Sequence, residues 1–313
     1  MRLIAGVLTG AAIGVAATLL VLRTPDEPAS APAPPRPAPA AAFQPPLVED
    51  APAGPAGDAI RLGARLITDT RAEAPGHVGN ALACRNCHLD AGRQPGAAPL
   101  WAAFVNFPAW RSKNNEINSF QKRVQDCFLY SMNGDPPALG SRELLAIESY
   151  AAYMARGLPS GVSPPGRGFP KLPAPARAPD DARGAAVYAE VCAVCHGPEG
   201  AGQMIDGVQA FPPLWGARSY NWGAGMATID KAAAFIHANM PPGQPDTLSV
   251  QQAWDVAHFV DGHIRPQDPR YAISPQATRA RHHDQPFSRY GTLVAGQRLG
   301  DPATAPPFSV VQK

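Results

Sequence analysis

The sequence is short of charge and of aromatic side chains. Charged residues make up 17% of its 313 positions and aromatics 7%, against 37 prolines. Formal net charge is only +2, with 27 basic against 25 acidic residues, so no polybasic footprint argues for a nucleic-acid partner. Sustained alternation of apolar and polar residues is also missing, which leaves little room for extended sheet. Cysteine is sparse as well: there are five, an odd number, so any pairing leaves one over. The length suggests two domains.

What is present begins with a long apolar run. Leu3 to Leu22 carries no charge and is bracketed by Arg2 and Arg23. A helix rising about 1.5 Å per residue over that stretch would span the roughly 30 Å hydrocarbon core of a bilayer. Residues 1–23 therefore read as an N-terminal hydrophobic helix, either an uncleaved anchor or a signal peptide with Ala29-Ser30-Ala31 as its cleavage site. Both readings export the remainder. The chain is expected in the periplasm, tethered to the inner membrane or soluble after cleavage.

Proline then marks the joints. Residues 24–57 hold eleven of them and ten alanines, too little apolar surface to offset ordering, and read as a disordered Pro/Ala linker. A second stretch, 159–179, holds seven and reads as a connector laid over a surface. Between them the chain repeats one plan: helix, Cys-x-x-Cys-His, Gly- and Pro-rich loop, closing helix. The closing helix of residues 58–158 is expected at Ser141–Arg156, with Leu144, Ile147, Ala151 and Met154 on one stripe. That of residues 180–266 is expected at Val250–Ile264, with Val256, Val260 and Ile264 aligned. The fold class is mostly α, two cytochrome c-like domains. Residues 267–313 read as a tail wrapped on them.

The two motifs are Cys84-Arg85-Asn86-Cys87-His88 and Cys192-Ala193-Val194-Cys195-His196. Their spacing is that of c-type haem attachment, in which both thiols bond covalently to the haem and the histidine reaches the iron. One such motif could be a zinc or dithiol site; two, using four of five cysteines in an exported chain, point to two covalently bound haem c groups. Met240, followed by Pro241 and lying 44 residues after His196, is the sixth-ligand candidate for the second iron, with Met226 and Met204 as rivals. For the first iron Met132, also 44 residues after its histidine, competes with Cys127, the cysteine left over; an inert thiol is the third reading. On a helix Arg123, Cys127 and Ser131 would share a face, where a guanidinium lowers a thiol pKa and binds an oxyanion. Arg111, Lys113 and Lys122 add positive charge nearby, offset by Glu116 and Asp126. His77, His237, His258 and His263 are not expected to be ligands, and His282 and His283 read as surface residues. The five tryptophans read as haem-pocket or core residues.

With those residues in view, the chain resembles the dihaem thiosulfate dehydrogenases over roughly residues 60–290. The resemblance rests on Gly79-Asn80-Ala81-Leu82-Ala83 leading into the first motif, Arg123 through Cys127-Phe128, and Ser131-Met132-Asn133-Gly134. Asn239-Met240-Pro241, Ala253-Trp254-Asp255-Val256-Ala257 and Asp268-Pro269-Arg270 complete it. It implies that Cys127 is the distal ligand of the first haem and that this haem is the active site, where two thiosulfates couple to tetrathionate, or the reverse. It implies a structural Met132, a substrate sulfonate held by Arg123 with Ser131 as a second contact, and Lys113 in place of another basic residue. Cys127 would leave the iron and bond the sulfane sulfur of one thiosulfate; a second thiosulfate would displace it. Electrons would pass from the His88/Cys127 haem to the His196/Met240 haem and on to an acceptor cytochrome. The chain departs from the family at Tyr130, where many relatives carry a basic residue, and at Asn239, where some carry lysine.

Two other functions fit parts of the pattern. A membrane-tethered dihaem electron-transfer cytochrome c without substrate chemistry suits the anchor and spacer. A haem subunit of a larger sulfur-oxidising complex would also use a cysteine-ligated haem. The leftover thiol favours the enzyme, because a carrier has no need of a thiolate ligand.

Overall fold

In each half of the molecule two helices cross where one of them has a glycine. The computed structural model describes residues 43–303; the apolar run 3–22, most of the Pro/Ala linker and the last ten residues lie outside them. Among the described residues no helix is long and apolar enough to cross a membrane. The expected N-terminal helix falls in the part not described.

The first domain is framed by α1 (Pro55–Thr68) and its closing helix α3 (Arg142–Met154). Proline at the first helical position starts α1, where its missing N–H is harmless. Ser141 caps α3, accepting from Leu144 N at 3.3 Å. A Cβ on Gly63 would lie 2.1 Å from Ala146 O, so only glycine lets these axes approach. The stripe Leu144, Ile147, Ala151 and Met154 is fully buried against α1, as its period requires. Between them α2 (Phe120–Asp126), capped by Ser119, runs directly into a π-helical turn, Cys127–Ser131.

The second domain repeats the frame with α4 (Asp181–Val187), α5 (Ile229–Asn239) and the closing helix α6 (Val250–Val260). Gly184 plays the part of Gly63: its Cβ would meet Asp255 O at 2.2 Å. Ser249 and Gln252 close a reciprocal capping box at the start of α6. The helix ends four residues before the expected Ile264. Arg265 folds back there, its Nη2 donating to Val260 O at 2.8 Å and to Asp261 at 3.2 Å, in place of further helix N–H groups. Among the described residues strand is confined to three two-stranded hairpins of two to four residues a strand.

Both Pro-rich segments are laid on this frame where they are described. Phe43 packs on Trp101 with ring centroids 5.0 Å apart, and Tyr153 Oη donates to Leu47 O at 2.8 Å. Residues 43–54, which composition assigns to the linker, are therefore docked. The connector runs across both halves: Gly96 N donates to Gly166 O at 2.7 Å, and Trp254 Nε1 to Pro173 O at 2.8 Å. The tail lies against both domains, with Tyr290 buried edge-on to Trp222. His283, expected at the surface, is buried instead. Its imidazole stacks on Tyr290 at 4.2 Å and bonds Asp268 at 2.8 Å, which satisfies a ring nitrogen away from water.

Candidate active site and haem attachment sites

The proximal sides of the two sites are built alike. His88 Nδ1–H donates to Ala98 O at 2.6 Å and His196 Nδ1–H to Pro212 O at 2.8 Å. A carbonyl can only accept, so each contact fixes the proton on Nδ1 and leaves Nε2 free to bind a metal. Thr70 orders the first motif: its hydroxyl accepts from Cys84 N at 3.0 Å and donates to Cys84 Sγ at 3.3 Å. Burial pushes the Cys84 and Cys87 thiols up to about 12 and Cys192 up to about 11.

A cavity of about 430 Å³ adjoins the second motif, lined by Cys192, Cys195, His196 and Met240 with apolar side chains such as Leu214, Phe235 and Val256. Met226 also reaches it, whereas Met204 sits half-exposed on a hairpin. Leu82, just before the first motif, and Arg85 and Cys87 within it wall the same space, so the two attachment sites border one cavity. Two buried donors near this interface, Trp222 Nε1 and Arg265 Nε, lack a partner among the described residues. Arg265 stacks over Tyr220 of the cavity wall at 4.4 Å. Paired cysteines, a histidine with a fixed tautomer, an apolar slot and donors fit for a carboxylate together suit haem c. No three His, Cys, Asp or Glu side chains among the described residues group as a zinc site would require.

The distal sides differ. Facing His88, Cys127 opens the π turn at the end of α2, and Arg123 Nη1 donates to its Sγ at 3.1 Å. Burial pushes this thiol up, but the Arg123 guanidinium and the His88 imidazole outweigh it, leaving Cys127 at about 7, below the ordinary thiol value. Arg123 is held protonated chiefly by Cys127 in return. The helical spacing thus brings Arg123 and Cys127 together. It does not extend to Ser131: from Cys127 on the winding is π, and the third position falls out of the 3.6-residue register. Ser131 takes part through its carbonyl, which accepts from Asn80 Nδ2 at 2.7 Å. Met132 is buried in the hydrophobic core of the first domain.

Cations crowd the thiol. Arg111 is lowered by burial and then by Arg123 and Arg167. Lys113 is lowered to about 7 by burial and then by Arg270 and Arg123. Lys113 Nζ donates to Gly223 O and lies 4.1 Å over the Tyr130 ring, with Arg270 5.1 Å over the same ring. Tyr130, which supplies no charge itself, thus gathers two cations. Arg270 is missed by reasoning from local spacing, because it lies far along the chain; its one signal is the Asp268-Pro269-Arg270 motif. Asp268 partly offsets it, at 2.7 Å. Four other histidines have partners of their own: His77 bonds Asp135 O, His237 Asp246, His258 Asp181, and His263 stacks on Trp215.

The chain matches two known protein families in sequence. Residues 74–160 match the SoxA/TsdA cytochrome c domain, and residues 179–260 the cbb3-type cytochrome c oxidase subunit III family. A thiosulfate dehydrogenase of Thiomonas intermedia is 51% identical over 261 residues, 83% of each chain. One of Stutzerimonas stutzeri is 46% identical over 260 residues, covering 82% of this chain and 85% of its own. The structure of thiosulfate dehydrogenase TsdBA from Marichromatium purpuratum superposes with a TM-score of 0.80 at 48% identity, over 83% of this chain and 58% of that one. This chain therefore spans little more than half of that larger protein.

Proposed function

The chain belongs to the thiosulfate dehydrogenase family, and from that premise we propose that it couples two thiosulfates into tetrathionate at Cys127. It is an oxidoreductase built of two cytochrome c domains that carry haem c. Cys84, Cys87 and His88 would hold the first group with Cys127 on its far side, and Cys192, Cys195 and His196 the second with Met240. Each haem, when bound, supplies a one-electron acceptor. The observation that carries the proposal is the Arg123–Cys127 contact opposite His88, in a ring of cations.

The side chains suit that chemistry. Two dianions must meet, and two unit charges 4 Å apart repel by about 1 kcal/mol in water and about 4 kcal/mol near a protein surface. Arg123, Lys113 and Arg111 crowd together at a cost to one another, and an arriving anion relieves it. The thiolate of Cys127 bonds the sulfane sulfur of the first thiosulfate, and that bond releases two electrons. The sulfane sulfur of the second thiosulfate then attacks the same atom, forms tetrathionate and expels Cys127 as thiolate. Two thiosulfates give one tetrathionate and two electrons, with no proton consumed. The shared cavity between the motifs supports passage of those electrons to the second domain and then to a cytochrome acceptor. Export to the periplasm, with residues 3–22 as a tether or a cleaved signal, belongs to the same proposal.

A dihaem carrier with no substrate would have no use for an arginine-paired thiol. The test is thiosulfate-dependent reduction of an artificial acceptor by wild type and by Cys127→Gly, both with two haems attached. We expect the variant to lose at least ~1000-fold. Equal rates would overturn the proposal.

A further inference from the structure

A π turn leaves its carbonyls without the regular helical donors, and the turn that opens with Cys127 can be accounted for carbonyl by carbonyl. Cys127 O accepts from Met132 N at 2.9 Å and Phe128 O from Gly134 N at 2.9 Å, both within the turn and its exit. The next three carbonyls are satisfied from elsewhere. Leu129 O accepts from Asn221 Nδ2 at 2.9 Å, Tyr130 O from Asn221 N at 3.2 Å, and Ser131 O from Asn80 Nδ2 at 2.7 Å. Met132 O accepts from Gly79 N at 3.0 Å.

Asn221 belongs to the second domain and is fully buried. Its two amide hydrogens go to Leu129 O and Asn133 Oδ1, while its Oδ1 accepts from Gly223 N at 3.0 Å. No atom of the amide is left for another role. Asn80 is buried too and ties the same turn to the second domain, since its Nδ2 also donates to Ser219 O at 3.1 Å. The backbones between these anchors touch directly. A Cβ on Gly79 would lie 2.0 Å from Asn133 O, and one on Gly134 2.0 Å from His77 O. Asn133 itself takes a positive φ of 47°, a conformation asparagine tolerates better than most. Two sequence segments that do no chemistry, Gly79-Asn80 and Asn133-Gly134, thereby acquire a purpose.

We propose that Asn221, with Asn80, is a positioning residue that clamps the Cys127 turn from the second domain and sets where the thiol stands relative to His88. The proposal rests on the reading of Cys127 as the reactive ligand. It adds that the second domain shapes the active site as well as receiving electrons. Lys113, bridging Tyr130 of the turn and Gly223 of the same loop, reinforces the clamp from the other side.

The test uses the full-length holoprotein as wild type, Asn221→Asp and Asn80→Asp, each substitution removing the amide donors at near-constant shape. Hydrogen exchange of the peptide 127–134 is expected to accelerate at least tenfold in Asn221→Asp, with the peptides of the α1–α3 crossing unchanged. The low-spin ferric signal of the first haem should split into more than one population, while the second haem's signal stays as it was. Tyr153→Phe, which loses the bond to Leu47 O, serves as the control for a merely structural loss: its melting temperature falls and neither readout moves. Wild-type exchange at 127–134 together with an undivided first-haem signal in Asn221→Asp would overturn the clamp. Should that variant fail to fold, Asn80→Ser removes only the donors to Ser131 O and Ser219 O together with the acceptor for Leu82 N, and is judged by the same two readouts. Full thiosulfate activity in Cys127→Gly would sink the functional reading instead, and the exchange data would still decide the clamp.

Discussion

The two domains share a proximal frame and part company on the other side of the histidine. Each crosses its first and last helices at a glycine, Gly63 or Gly184, and each locks its histidine by Nδ1–H to a backbone carbonyl. Beyond that, the first domain offers a thiol paired with arginine and ringed by cations, and the second a methionine in an apolar slot. On the proposed function the same scaffold separates two tasks: a polar, charged distal side for substrate chemistry, and an apolar one for electron transfer. The difference lies in the segment before the closing helix, a π turn in one domain and the end of α5 in the other.

Removing the charge that distinguishes the first site should have a large effect. Arg123→Ala is expected to lower kcat/KM for thiosulfate about 100-fold, the scale of losing one aligned donor, ~2.7 kcal/mol. Steady-state kinetics with both haems attached measures it, and a change below threefold would mean the arginine is dispensable. In the second domain, Met240→Ala should lower that haem's reduction potential, because methionine ligation raises it, and leave the KM for thiosulfate alone. A redox titration that finds the second potential unmoved would point to Met226.

Smaller effects sharpen the contrast. Lys113 titrates near 7, so it is a cation below that pH and neutral above it. Anion binding should therefore weaken as pH rises through about 7, by about fivefold in KM for ~1 kcal/mol of lost attraction. Lys113→Met should flatten that step and hold KM at the high-pH value; an unaltered step would assign it elsewhere. Met132→Leu should change activity by less than about twofold and stability by under ~1.5 kcal/mol, as a volume-conserving core swap. Loss of a haem signal in this variant would restore Met132 as a ligand.

Much of this was legible where the physics is local. The Cys-x-x-Cys-His motifs act within five residues, and the stripe Leu144, Ile147, Ala151, Met154 follows from helical period alone. Arg123 and Cys127 one turn apart could be paired on the same grounds. Legibility failed where distant segments decide the outcome. The α-helical period could not foresee the π turn that takes Ser131 out of register, because Asn80 and Asn221 donate to it from far along the chain. Equal spacing nominated Met132 beside Met240, yet Met240 lines the cavity between the two motifs while Met132 sits in the buried core of the first domain. Arg270 beside Tyr130, the burial of His283 and the early end of α6 at Val260, where Arg265 folds back, likewise depend on tertiary contacts.

On the proposed function the two irons differ because Cys127 ligates one of them. Low-temperature electron paramagnetic resonance of the ferric holoprotein tests it most directly, comparing wild type with Cys127→Gly. Two low-spin species are expected in wild type, one with the narrow g-spread of histidine–thiolate ligation and one of the histidine–methionine kind, and the substitution should abolish the first alone. A wild-type spectrum without the thiolate species, or one that survives the loss of Cys127, would contradict the account.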